Sequence, residues 1–135
     1  MADYQVLSAD PFTLDSIPGG AHPFAHKTLD FDLQPDYTVG TNRGRPVLNF
    51  LLQHKSSTGS FGIWANPTWP LKQSERVFYY SWTGYDEREF ASWQVINGTL
   101  FAPGDNTVVF GMQEADHGEV RLRDVVLWYQ RGPGS

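Results

Sequence analysis

The sequence predicts an all-β domain, an antiparallel sandwich of about eight strands. Three observations carry that expectation. Thirteen Gly and nine Pro in 135 residues supply frequent turns and interrupt any helical period. No stretch keeps a helical apolar spacing, whereas several short runs alternate apolar and polar residues with period two. The last third of the chain, from Trp93 to Gln130, states the pattern most fully, because turn residues and alternating runs agree there at nearly every position.

Within that stretch, residues 101–106 are turn chemistry. Pro103 presets φ, Gly104 accepts a positive φ, and Asp105 and Asn106 bond back onto their own backbone. Val108, Phe110 and Met112 then alternate with Thr107, Val109 and Gly111, the mark of a strand with one buried face. A turn at Asp116, His117 and Gly118 precedes a final long strand, with Val120 and Leu122 inward and Glu119, Arg121 and Arg123 outward. These two runs are expected to close the domain as an antiparallel pair. Continuing the alternation turns Asp124 inward beside Val126 and Trp128; a slip in phase brings Val125, Leu127 and Tyr129 to the core instead. An inward carboxylate without a partner is expensive. A bulge near Arg123 and Asp124, or a hydrogen-bonded Asp124, is therefore favoured over a metal-bound one.

Upstream, residues 4–7 make a short first strand and residues 8–26, broken by Pro11, Pro18 and Pro23, an irregular loop. Residues 27–33 form a clean strand with Leu29, Phe31 and Leu33 inward and Asp30 and Asp32 outward. A second loop spans 34–45. Residues 46–54 are apolar on both faces, which places them centrally in a sheet. Residues 55–59 read as a hairpin turn, after which Phe61, Ile63 and Ala65 point inward and Trp64 to the opposite face. Pro67 and Pro70 end that strand, residues 75–82 form an aromatic strand, 83–88 its turn, and 90–96 the strand before the closing pair. A single domain over 1–130 results, with 131–135 read as a flexible tail outside it.

The run Pro103-Gly-x-Asn, Val108-x-Phe, then Gly118-x-Val-x-Leu-x-Asp-Val-x-Leu127 resembles the closing strands of jelly-roll β-sandwiches of the galactose-binding-like kind. Leu29-Asp-Phe-Asp-Leu33, Pro46-Val-Leu-Asn-Phe-Leu-Leu52 and Gly59-Ser-Phe-Gly-Ile-Trp-Ala-Asn66 continue the resemblance over most of the chain. Many carbohydrate-binding modules share that architecture. The resemblance implies a jelly roll and a lectin-like role. It also implies a structural calcium held between early and late strands, with Asp124 the late-strand candidate.

Composition narrows the partners. A net charge of −5 and a pI near 5.2 exclude a nucleic-acid partner, whose phosphates would be repelled. There is no cysteine, hence no disulfide and no thiol chemistry. The N-terminus lacks a basic region followed by an apolar run, so a protein that is cytoplasmic, or released without a signal peptide, is expected. No apolar stretch reaches membrane-spanning length.

Aromatic residues make up 15% of the chain, more than a small core needs, so some rings are expected at the surface. Trp64, Trp69 and Tyr85, with Asn66, Asp86 and Arg88 near them in sequence, form the candidate glycan site. Sugars offer an apolar C–H face and a rim of hydroxyls, which a flat ring beside amide, carboxylate and guanidinium groups satisfies together. Core filling is the competing reading for Trp64 and Trp82, whereas Trp69 sits between two prolines with few apolar neighbours. Asp30 and Asp32, about 7 Å apart on one strand face, are the second metal candidate or a solvated face. His22 and His26 are separated by Pro23 and match no helical zinc motif. No nucleophile elbow or phosphate loop is present. A glycan-binding module is the leading expectation. A homo-oligomeric assembly subunit using the same aromatics, and a small lyase- or cyclase-type enzyme, are the alternatives.

Overall fold

Two antiparallel sheets pack face to face. The computed structural model describes residues 2–15, 25–37, 45–113 and 115–131. The strands are β1 (Ala2–Ser8), β2 (Phe12–Asp15), β3 (His26–Leu33), β4 (Val47–His54), β5 (Thr58–Ala65), β6 (Phe78–Thr83), β7 (Asp86–Val95), β8 (Gly104–Gly111) and β9 (Glu119–Gln130). One sheet has the order β1-β9-β4-β7, with β2 also on β9; the other has the order β3-β8-β5-β6. β1 and β2 pair with successive parts of β9, so they act as one edge strand interrupted before Phe12. Pro11, which has no N–H to donate, stands in that interruption. Counting them as one gives eight strands in jelly-roll order. Two short 3-10 turns, Gln73–Glu75 and Gly98–Leu100, complete the regular structure among the described residues.

The register corrects two expected hairpins. β8 pairs with β3 and β5, and β9 with β1, β2 and β4, so the two closing strands lie in opposite sheets. The turn at 55–59 likewise carries the chain from β4 in one sheet to β5 in the other. Small polar residues and glycine serve a hairpin and an arch between sheets equally well, so turn chemistry alone does not separate them. The expected loop at 8–26 contains β2, whose Phe12 and Leu14 alternate with Thr13 and Asp15. A run of four residues between turn signals is too short to declare itself by period. Residues 16–24 and 38–44 lie outside the described residues, and with them His22.

The expected slip in the last strand is present as a bulge. Asp124 has φ of 51°, and the β4–β9 register shifts between Asn49 and Leu51. Val125, Leu127 and Tyr129 are thereby returned to the core, and Asp124 is turned out to pair with Arg123. At the centre of the sandwich Phe110 meets the rings of Phe12, Phe50 and Phe61 at 5.5, 5.2 and 6.2 Å. Arg131 is tied to the domain: its guanidinium bonds Asp36 and Asp3, both at 3.0 Å, while 132–135 lie outside the described residues.

Trp64 does not face solvent. The segment between β5 and β6 folds back over the outer side of β5, and the Trp64 indole N–H donates to the Lys72 carbonyl at 2.8 Å. Val109, beside it on β8, is buried under the same cover. The four-stranded sheet therefore has apolar packing on both faces, one against the other sheet and one under its own loop. Among the described residues no helix is long and apolar enough to cross a membrane.

Candidate functional site

The outer face of the five-stranded sheet is the most aromatic exposed surface among the described residues. Residues that pair across strands share a face, so the register assigns its occupants. Tyr4, Trp128, Val47 and Val95 form one row across β1, β9, β4 and β7. Val6, Val126, Asn49 and Trp93 form the next. Tyr4, Val6, Trp93, Val95 and Trp128 are each at least 40% exposed, which puts half of the large exposed hydrophobics among the described residues on this one face. Antiparallel sheets normally show water a polar face. An exposed apolar face is a candidate interaction surface.

The rings on it are oriented rather than loose. Tyr4 and Trp128 lie 5.0 Å apart at 38°, and the Trp128 indole N–H donates to Asn49 Oδ1 at 2.8 Å. Trp93 pairs with Asn49 and Trp128 with Val47, so the two indoles are offset by two strands and two residues, roughly 12 Å. Toward the other end of the face, the Arg123 guanidinium grips Glu89 through two bonds of 2.6 and 2.7 Å. Those two bonds hold the Glu89 carboxyl below the ordinary carboxylate range. The face thus runs from an aromatic end to a hydrogen-bonding end.

The residues that the sequence singled out do not form one site. Trp64 is fully buried and cannot stack on a ligand. Asn66 is a structural clamp: its amide bonds the Leu100 carbonyl and Asn106 Oδ1, and its Oδ1 accepts from the Thr107 N–H at 2.7 Å. Asn66 also has φ of 46°, which an Asn tolerates. Tyr85 is 52% exposed and Arg88 is exposed, while the side chain of Asp86 lies outside the described residues. These follow β6 at the end where Thr58 pairs with Thr83, whereas Asn66 and Trp69 follow the other end of β5. Seven residues of strand, roughly 23 Å, separate the two groups. Nearness in sequence misled because β5 and β6 run antiparallel.

Trp69 is 56% exposed and lines a cleft of about 510 Å3 with His26, Pro70, Leu71, Lys72, Gln73, Met112 and Gln113. Its ring lies 5.2 Å from that of His26. His54 is buried instead, sharing a 2.6 Å hydrogen bond with the Tyr80 hydroxyl and stacking on Trp82 at 5.0 Å. Burial raises the Tyr80 hydroxyl above the ordinary tyrosine range.

Asp30 and Asp124 cannot share an ion. Asp30 faces outward from the four-stranded sheet, where it accepts from the Thr107 hydroxyl at 2.7 Å, and Asp124 lies on the other sheet paired with Arg123. Among the described residues no three His, Cys, Asp or Glu converge as a metal site. Asp32 stands directly opposite Asp105, and the hydrogen bond between these carboxyls raises the Asp32 pKa. A carboxyl raised in the folded state binds its proton more tightly there than in the unfolded chain. This pair's contribution is therefore fully present below the ordinary carboxylate range and is lost as pH rises through that range and the raised folded-state value. Asp105→Asn is expected to return Asp32 to the ordinary carboxylate range. A carbonyl-carbon NMR titration checks this, and an unchanged Asp32 midpoint would refute the pairing.

No protein-family model matches the chain, and no curated protein matches it. Several solved structures are similar in fold. One is an isomalto-dextranase of Arthrobacter globiformis complexed with panose, at 17% identity and a TM-score of 0.47 over 77% of this chain. This chain spans only 16% of that protein. Another is the carbohydrate-binding module CBM36 in complex with calcium and xylotriose, at 12% identity and a TM-score of 0.48, covering 93% of this chain and 87% of that one. A third is a family 29 carbohydrate-binding module from Piromyces equi, at 10% identity and a TM-score of 0.45, covering 96% and 91%. The likeness is one of fold.

Tyr4, Trp93 and Trp128 escaped the sequence reading for a physical reason. In the last four residues of β7 the larger apolar residues, Trp93 and Val95, face out, while Ser92 and Gln94 face in and bond each other at 3.2 Å. The alternation is intact and its sense is inverted. A warning was present in 46–54, where both faces of β4 are apolar.

Proposed function

We propose that this domain binds a carbohydrate chain along the outer face of its five-stranded sheet. The observation that carries the reading is the group of exposed rings Tyr4, Trp128 and Trp93 on one sheet face, with Asn49 fixing the Trp128 indole. The face is open and spans four strands, so it suits an extended chain lying across it rather than a sugar enclosed on all sides. Indole and phenol rings take the C–H faces of successive sugars, and the Arg123–Glu89 end supplies donors and acceptors for hydroxyls. The interaction is expected to be independent of calcium, because rings and an amide carry it.

Native gels cast with plant, fungal and bacterial polysaccharides test this directly, followed by calorimetry with oligosaccharides of the retarding polymer. Retardation that is equal in calcium and in chelator is the expected result. Unretarded migration in every polymer would sink the reading. Val6 and Val95, aliphatic and more than half exposed among the rings, favour a second reading in which the face joins copies of the chain. Sedimentation that shifts with protein concentration, together with silence in the gels, would select it.

A further inference from the structure

The outer face of the other sheet offers a second, separate cleft, the one lined by Trp69. Its volume of about 510 Å3 is that of a small-molecule site. Three features make it more than a surface dent. Trp69 keeps 56% of its surface exposed although its chain direction is restricted by Pro67 and Pro70. The walls are held in place: the Lys72 carbonyl takes the Trp64 indole N–H at 2.8 Å, and the Met112 N–H donates to the Ala25 carbonyl at 2.8 Å.

The third feature is an orphan. Gln113 donates its Nε2 to the Leu71 carbonyl, which fixes the orientation of the amide. Its Oε1 is left as the one buried side-chain polar atom without a partner among the described residues. Proteins rarely leave such an acceptor unpaired, so an orphan in the wall of a cleft marks a place for an incoming donor.

We propose that this cleft is a binding site for a single pyranose ring, with a C–H face on Trp69 and a hydroxyl donating to Gln113 Oε1. A wholly apolar ligand would leave the amide oxygen orphaned, and an anion would meet an acceptor. Among the described lining residues Lys72 is the one Lys, Arg, Asp or Glu, and it is paired with Glu75 at 3.8 Å, which also suits a neutral ligand. Gln113 itself lines the cleft and is only half-buried. Cleft and aromatic face lie on opposite sheets, so the inference stands or falls apart from the proposed chain-binding face. With both occupied, the domain bridges a chain on one side and a sugar ring on the other. That ring is either a free monosaccharide or the end of a chain.

NMR reports on the two faces independently, through the indole N–H signals of Trp69 on one side and of Trp93 and Trp128 on the other. Methyl glycosides of common hexoses and pentoses, and oligosaccharides ending in the same rings, are titrated into the whole chain. The expected result is a saturable shift of the Trp69 indole and Met112 methyl signals by at least one sugar. Glycoside and oligosaccharide act alike if the cleft takes a free ring; the oligosaccharide alone acts if it takes a chain end. Gln113→Leu is expected to weaken the interaction about tenfold, read at the Trp69 signal. Trp69→Ala, at an exposed position that folding does not need, weakens it to a similar degree, read at Met112. Absence of saturable shifts at both signals with every sugar overturns the proposal, and so does binding that both variants leave intact.

Discussion

Removing the indoles of Trp93 and Trp128 together is expected to abolish measurable binding of a carbohydrate chain. Each ring offers a large rigid surface at little entropic cost, and losing one such contact costs about 1–3 kcal/mol, roughly five- to 150-fold in Kd. The two rings sit on β7 and β9 with β4 between them, so one extended chain can touch both at once. Their losses then combine, and the double variant falls below detection in calorimetry. Trp128→Ala alone is expected to cost more than Trp93→Ala. It removes the ring that Tyr4 leans on at 5.0 Å and that Asn49 orients, so the tyrosine loses its support as well. Stability changes little in either case, because both rings are at least 40% exposed and Asn49 regains water. Thermal melts separate the two effects. A double variant that binds its polysaccharide as tightly as the parent would remove the sheet face from consideration.

How far the sequence reached can be traced residue by residue. Alternation in 27–33 and 107–112 placed Leu29, Phe31, Leu33, Val108 and Phe110 in the core, where they are. The cost of an inward Asp124 pointed to a bulge, and the backbone turns there with positive φ. Pairing partners were beyond reach, since arches and hairpins use the same residues. The site was harder still. Its members come from β1, β9, β4 and β7, brought together only by register, and no local spacing joins Tyr4 to Trp93 or Trp128. The residues the sequence did group were neighbours along the chain at opposite ends of two strands. Trp64 is the instructive case, since its outward phase was correct and its exposure was not. Phase decides which face a side chain takes, and only the fold decides whether that face is covered.

Trp64→Ala is therefore expected to be a stability mutation, costing about 3–5 kcal/mol as for other buried Trp or Phe truncations. The indole is fitted to its place by the chain beneath it. Gly62 and Gly111 pair across β5 and β8, and a Cβ on Gly62 would come within 3.0 Å of the Trp64 ring and one on Gly111 within 3.4 Å. Two glycines side by side thus leave a flat seat for a large ring. Above the ring, its N–H holds the Lys72 carbonyl, and Leu71 would lie 3.6 Å from a Cβ on Gly111. Truncation opens a cavity beneath the loop and orphans that carbonyl, two costs that add. Chemical denaturation should show the full loss, with a fall in Tm of about 10–15 °C. Trp69→Ala should change stability by less than about 1 kcal/mol, because that ring is 56% exposed. The contrast is the test: equal stability losses at 64 and 69 would mean that the loop does not cover Trp64 as described. In the expected case Trp64→Ala also loosens Leu71 and Lys72, so the cleft beside Trp69 loses its wall while the aromatic face on the opposite sheet keeps its geometry.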